Sequence, residues 1–300
     1  MDIVVAGSRG LIGSALVPAL RARGHHVRRL VRDAPVHPDD VGWDPDAGRL
    51  DPADLASADA VINLAGAGVS DRPLTPARKR TVLLSRTRTT SLLATTMAGL
   101  EPGPRVLLQA SGIGAYGERG DDVLDEHEPL GDTFFAGIVR QWEAATAPAQ
   151  QAGVRVAHLR SGIVLAPHGG ALGRLLPIVR AGIGGPLGSG RQYWSWITLP
   201  DEVDAIIHLL DAPLHGPVNM VARADTNADL TAELARGLHR RAVLRVPGWA
   251  VRIALGDFAQ EILGSIRATP RALADSGFVP GHPDLTSAIR YVTGFVPSRS

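Results

Sequence analysis

Gly7-Ser8-Arg9-Gly10-Leu11-Ile12-Gly13 follows the apolar run Ile3-Val4-Val5-Ala6 and leads straight into a helix-like segment at 11–23. Strand, glycine turn, helix is the order of a phosphate-binding βα unit. Glycine permits the sharp turn and lets backbone N–H groups approach a pyrophosphate at the positive end of the helix. The spacing is G-x-x-G-x-x-G, not the general G-x-G-x-x-G. A glycine triad alone also marks plain turns. Its place directly after a first strand makes it a nucleotide-binding signal.

Outward from this turn, short β-branched runs at 27–32, 58–64, 105–111 and 154–159 alternate with helical stretches at 75–97 and 134–151. Each run is apolar on both faces, as strands buried between two helix layers are. The alternation predicts an α/β fold: a doubly wound parallel sheet of Rossmann type with right-handed crossovers and ligands at the carboxyl ends of the strands. Pro18 predicts a kink in the first helix.

Past residue 165 the texture changes. Gly169, Gly170, the glycines of 182–190 and Trp194, Trp196 and Trp249 predict long ordered loops and an irregular lobe. Helices are expected at 225–239, 270–274 and 285–292, and a strand at 218–222 is expected to rejoin the sheet. The expected division is a cofactor-binding Rossmann domain over 1–165, with strands to about 222 rejoining it. A smaller C-terminal substrate lobe over 166–297 includes a small domain from about 246. Ser298-Arg299-Ser300 reads as a frayed tail.

Of the 300 residues 45% are hydrophobic and 20% charged, with a formal net charge of +1. That balance gives no electrostatic reason to expect nucleic acid or an anionic membrane. Arg78-Lys79-Arg80, Arg86 and Arg88 read first as a solvated helix face. The absence of cysteine excludes disulfides, thiol nucleophiles and thiolate metal sites. The histidines show no paired ligand spacing, so no metal is expected. No signal peptide precedes Ile3 and no apolar run is long enough to span a membrane, so a cytoplasmic protein is expected.

The second strand ends at Val31-Arg32. An acid there would bind the ribose 2′-hydroxyl of NAD, whereas an arginine accommodates the 2′-phosphate of NADP. Asp33 falls one place too late, and Arg9 in the glycine turn offers a second positive contact. The cofactor expected is NADP(H); the other reading of Arg32 is a plain surface arginine. Asn63-Leu64-Ala65-Gly66 and Ser111-Gly112-Ile113-Gly114-Ala115-Tyr116-Gly117 close two further strands at the binding edge.

Several stretches together resemble the extended short-chain dehydrogenases/reductases, and among them the epimerase-family proteins of the SDR39U1-like group. They are the glycine turn, Gly42-Trp43-Asp44, Asn63 to Gly66, Ser85-Arg86, Ser111 to Gly117, Trp142-Glu143, 160–165 and 184–197. The most specific is Gly184-Gly185-Pro186-Leu187-Gly188-Ser189-Gly190-Arg191-Gln192, and 246–291 is similar to these proteins' small C-terminal domain. The resemblance implies a cofactor set of Gly7, Ser8, Arg9, Gly10, Leu11, Ile12, Gly13, Arg32, Leu64, Ala65, Gly66 and Arg86, with Ser161, Gly162 and Ile163 at the nicotinamide. It implies no particular substrate.

The superfamily moves its proton with a tyrosine whose pKa is lowered by a lysine four residues on. Here Phe135 and Val139 stand at those places, and Lys79, the only lysine, is on another helix. Ser111 and Tyr116 are the catalytic candidates that remain, and structural packing is an equal reading for Tyr116. Arg140 is a nearby charge. The acidic run 121–128 reads mainly as solvated. Arg191, Tyr193 and Trp194, with Gln192 and Trp196, are candidates to line a substrate cleft, or else to pack the lobe.

Two functions stay open. One is an NADP(H)-dependent oxidoreductase or nucleotide-sugar-epimerase-like protein acting on an unidentified small molecule. The other is a non-catalytic NADPH-binding sensor or regulatory protein. A monomer or homodimer is expected, the latter by analogy with relatives that pair helices such as 75–97 and 134–151.

Overall fold

The computed structural model describes residues 1–69, 72–182, 184–242 and 244–294. The tail Ser298-Arg299-Ser300 lies outside them. The opening apolar run becomes β1 (Asp2–Ala6), buried on both sides, and the glycine turn delivers the chain into α1 (Leu11–Ala22). Pro18 sits inside that helix without ending it.

Next come β2 (His26–Val31), the unpredicted short β3 (Asp40–Gly42), α2 (Ala53–Ala56) and β4 (Ala60–Asn63). α3 (Pro76–Ala98) starts where Thr75 accepts from the Arg78 N–H and a proline takes the first helical position. β5 (Val106–Gly112), β6 (Val123–Leu124), α4 (Phe134–Ala144), α5 (Ala147–Gln151) and β7 (Arg155–Ser161) follow. The single helix expected over 134–151 is thus two. Pro148 has no N–H to donate to the Ala144 carbonyl and its ring crowds that carbonyl, which separates them.

The chain then leaves the sheet through β8 (Ile163–Leu165), α6 (Gly170–Arg180) and β9 (Tyr193–Thr198), and returns with α7 (Leu199–Asp211) and β10 (Gly216–Met220). Seven parallel strands run in the order β10-β7-β5-β4-β1-β2-β3. One face carries α1 and α7 over Val5, Ile62, Leu108 and Leu159; the other carries α3 and α5 over Val4, Val61, Leu107 and Val156.

That arrangement corrects the expectation of uniformly right-handed crossovers. From β4 to β5 and from β7 to β10 the chain steps the same way across the sheet, yet α3 and α7 lie on opposite faces. The two connections therefore have opposite hands. The small lobe intervenes in the last one, and the chain re-enters from the α1 side.

The lobe itself is more regular than the expected loops. β11 (Arg223–Thr226), β9 and β8 form a sheet, covered by α6, α8 (Asn227–Gly237) and α12 (Leu285–Thr293) around Trp196. α9 (Gly248–Leu255), α10 (Ala259–Leu263), β12 (Arg267–Ala268) and α11 (Arg271–Asp275) then bring the chain back against the large sheet, where β12 pairs with β6 and Leu273 joins the α1–α7 core. No helix among the described residues is long and apolar enough to cross a membrane.

Candidate functional site

At the carboxyl end of β1, Gly7 and Gly13 are needed for space. Gly7 has φ +81°, and a Cβ there would lie 2.5 Å from the Leu64 carbonyl carbon and 2.7 Å from the Ala65 nitrogen. On Gly13 a Cβ would run into the Gly7 carbonyl oxygen. Gly10 caps α1 without a side chain, so the first-turn N–H groups of Leu11 and Ile12 stay open to an anion. Ser8 is buried beside them. The Leu64 N–H donates to Ala6 O at 2.9 Å and the Ala65 N–H to Asn63 Oδ1 at 3.1 Å, which holds the β4 loop against the turn. This cradle fits a dinucleotide diphosphate.

Arg32 is exposed at the end of β2 and has no hydrogen bond or ion pair among the described residues. Arg9 is also exposed and pairs with Asp33, Nη1 to Oδ2 at 2.5 Å. Arg86 is the more unusual cation. Its guanidinium lies 4.9 Å from the Trp142 ring centroid, and Nη1 donates to Ala67 O at 2.9 Å and Val82 O at 3.1 Å. No carboxylate meets it among the described residues. Burial, with the nearby Arg78 charge, lowers its pKa to about 10. A partly buried cation stacked beside Gly66 and lacking an acid suits an anionic or polyhydroxyl ligand.

At the end of β7 the Ser161 hydroxyl donates to Glu202 Oε1 at 2.6 Å. Gly162 packs so closely that a Cβ would lie 2.6 Å from Ser195 O. Glu202, in the first turn of α7, is fully buried; its other oxygen has no partner, and burial raises its pKa to about 7.

Ser111 and Tyr116 prove to be parts of one network. The Ser111 hydroxyl donates to Glu143 Oε1 at 2.7 Å, and Arg160 grips both oxygens of that carboxylate at 2.9 Å. Burial alone would raise the Glu143 pKa, but the Arg160 hydrogen bonds and charge outweigh it and hold the carboxyl below its usual range. The Tyr116 hydroxyl donates to Asn219 Oδ1 at 2.7 Å and accepts from Arg160 Nη1 at 3.2 Å. Its ring is 0% exposed and burial raises its pKa. The phenol braces β10 against the turn after β5, which is the packing reading of Tyr116. Arg140 is exposed and donates to Gly131 O, so it adds no charge to this network.

The acidic run divides. Glu126 is buried and accepts from the N–H groups of Asn219 and Ala272, tying β10 to α11, while Asp125 pairs with Arg271.

A cavity of about 570 Å³ opens between the start of α4 and the returning C-terminal segment, lined in part by Lys79, Phe134, Phe135, Arg252, Asp257 and Gln260. Lys79 bridges the segments: its Nζ lies 2.5 Å from Asp257 Oδ2 and 4.9 Å from the Phe134 ring centroid. Arg191, Tyr193 and Trp194 lie outside the lining of this cavity. Arg191 is exposed, Tyr193 stacks on Arg267, and the indole N–H of the buried Trp194 donates to Ile262 O at 3.0 Å. Tyr193 and Trp194 fasten the C-terminal segment. Arg252, Asp257 and Gln260 are not legible in the sequence, because short helices in a glycine-broken segment carry no motif.

Residues 3–222 match the family described as NAD dependent epimerase/dehydratase, and residues 246–292 match a domain of unknown function, DUF1731. The epimerase family protein Mb2239 of Mycobacterium bovis is 44% identical over 294 residues, covering 97% of each chain. Human epimerase family protein SDR39U1 is 34% identical over 302 residues, covering 97% of this chain and 99% of its own. The crystal structure of human SDR39U1 (isoform 2) with NADPH superposes with a TM-score of 0.90 at 33% identity, covering 99% of this chain and 100% of that one.

Proposed function

This chain belongs to the NAD dependent epimerase/dehydratase family, in its extended short-chain, SDR39U1-like group, and from that premise we propose that it is an NADP(H)-dependent oxidoreductase or epimerase-like enzyme of a small-molecule substrate. The observation that carries the cofactor choice is Arg32, unpaired at the end of β2 where an acid would select NAD, with Arg9 beside it. The NADPH bound to the human relative supports the same reading.

On this reading the diphosphate rests on the first turn of α1, the 2′-phosphate lies against Arg9 and Arg32, and Arg86 faces the ribose end beside Gly66. Ser161, Gly162 and Ile163 flank the nicotinamide, which supplies or accepts hydride when bound. Ser111 stays near the substrate edge as a hydroxyl oriented by Glu143. The substrate occupies the cavity at Phe135, whose lining balances two cations, Lys79 and Arg252, against two acids, Glu118 and Asp257. An NADPH-binding sensor without turnover is the second reading, favoured by the locked Tyr116 hydroxyl.

Calorimetric titration tests the first step: NADPH binds much more tightly than NADH, and equal affinities overturn the choice of NADP(H). Incubating the NADPH-loaded protein with a panel of nucleotide sugars and small carbonyl compounds then separates the readings. Consumption of dihydronicotinamide marks an enzyme; its persistence with every compound favours the sensor.

A further inference from the structure

The site has an acid–base vacancy. Among the described residues at the carboxyl edge of the large sheet, the titratable side chains are nearly all engaged. Tyr116 is sealed between Asn219 and Arg160, Glu143 is held ionised by Arg160, and Glu202 is buried against Ser161. His158 is buried on Thr146, and burial lowers its pKa. Lys79 is paired with Asp257. None can pass a proton directly to a ligand: even Glu202, which keeps an unpartnered oxygen, is fully buried.

Glu261, on α10, differs. A Cβ placed on Gly114, in the turn just past β5, would lie 3.0 Å from Glu261 Oε2 and 3.5 Å from the Phe135 Cβ. The carboxyl thus reaches from the C-terminal domain into the gap between the β5 edge and the start of α4, next to the cavity that Phe135 lines. Its position is built rather than incidental. Trp194 Nε1 and Gln192 Nε2 both donate to the carbonyl of the next residue, Ile262, at 3.0 and 3.5 Å. The Ser265 hydroxyl donates to Gly120 O, fastening the following turn. Glycine at 114 leaves room for the carboxyl. No donor or cation among the described residues satisfies it, although Phe258 and Ala259 pack the same segment.

We infer that Glu261 is the proton donor and acceptor of this site, a catalytic residue lent to the sheet by the C-terminal domain. In the reducing direction the substrate is a carbonyl compound. Its carbon takes hydride from the dihydronicotinamide, its π pair becomes the new O–H bond with the Glu261 proton, and NADPH leaves as NADP⁺. The Glu261 carboxylate then regains a proton from water through the cavity. Oxidation runs the same steps backwards. Burial with no opposing cation raises the pKa of this carboxyl to about 7, so both forms are present near neutrality. The other charged groups around α10 are the Lys79–Asp257 pair, Glu118 and Arg252.

This inference rests on NADP(H) binding, and its test needs no substrate. NADP⁺ carries a pyridinium charge that NADPH lacks, so a carboxylate facing the nicotinamide favours NADP⁺. The ratio of the two dissociation constants, Kd for NADP⁺ over Kd for NADPH, cancels the titration of the shared 2′-phosphate, which has a pKa of about 6. In the full chain that ratio falls about tenfold as pH rises from about 6 to about 8. In Glu261→Gln, an isosteric change, it stays flat while NADPH binding persists. Infrared difference spectra of the ligand-free protein against Glu261→Gln show one carboxyl titrating near neutrality. A flat ratio in the unaltered protein, or an unchanged slope in Glu261→Gln, overturns the role of Glu261 and leaves the cofactor assignment standing. Failure of the unaltered protein to bind NADPH overturns both.

Discussion

Arg160 and Glu143 form a two-pronged ion pair, with Nε to Oε1 and Nη2 to Oε2 both 2.9 Å, across the end of the sheet where β7 meets α4. Arg160 is only 4% exposed. Removing the carboxylate leaves that cation desolvated and unpaired, which costs far more than the net worth of the pair. Glu143→Ala is expected to lower the unfolding free energy by about 3–5 kcal/mol, read from urea denaturation. The double change Arg160→Met with Glu143→Leu recovers much of that loss. If the single change costs under about 1 kcal/mol, water reaches the guanidinium and the network is not a buried one.

Tyr116→Phe reads the other arm of the network. It removes the donor to Asn219 Oδ1 and the acceptor for Arg160 Nη1. Stranding a buried acceptor costs about 1–3 kcal/mol, so the midpoint of thermal unfolding falls. Affinity for NADPH holds, because the ring does not face the cradle. A variant that keeps its stability yet loses turnover on an identified substrate returns the phenol to the chemistry.

Charge reversal at the end of β2 tests cofactor choice. Arg32→Asp is expected to weaken NADPH by about 1.5–3 kcal/mol, the scale of a charge-assisted hydrogen bond, and to leave NADH nearly unchanged. Asp33→Asn acts in the opposite sense. It frees Arg9 from its 2.5 Å pair and removes a negative charge from the 2′-phosphate side, so NADPH binds more tightly, with a gain that shrinks as salt rises. Calorimetry on both variants checks the pair. An unchanged preference in Arg32→Asp moves the selectivity to Arg9.

The sequence carried the large sheet because its signals are local. The glycine turn, the two-faced apolar strands and Thr75-Pro76 at the head of α3 each act within a few residues. α7 was equally legible in principle, since Thr198 caps Asp201 and Pro200 sits in the first turn. It was hidden by the tryptophans and glycines before it, which read as loop. The network behind Ser111 was not legible. Glu143, Arg160, Asn219 and Glu126 come from four separate segments, and only the fold reveals that Tyr116 points inward. Glu261 was out of reach for the same reason: its partner surface, Gly114, is far away along the chain.

Stability should fall across the neutral range because of Glu202. In the folded chain burial raises its pKa from 4.5 to about 7, with one oxygen bonded to Ser161 and the other unpartnered. The folded state therefore holds the Glu202 proton more tightly than the unfolded state. Its stabilising contribution is complete below about pH 4.5, declines as pH rises, and is gone above about pH 7. For a fully buried group that shift is worth about 3 kcal/mol. Glu202→Gln keeps an oxygen for the Ser161 hydroxyl and cannot ionise, so its stability relative to the unaltered protein climbs across the same interval. Glu261 titrates in the same range, but it is present in both proteins and cancels from their difference. Thermal unfolding at pH steps through the interval measures that difference, and parallel profiles for the two proteins would show that Glu202 stays ionised and finds water.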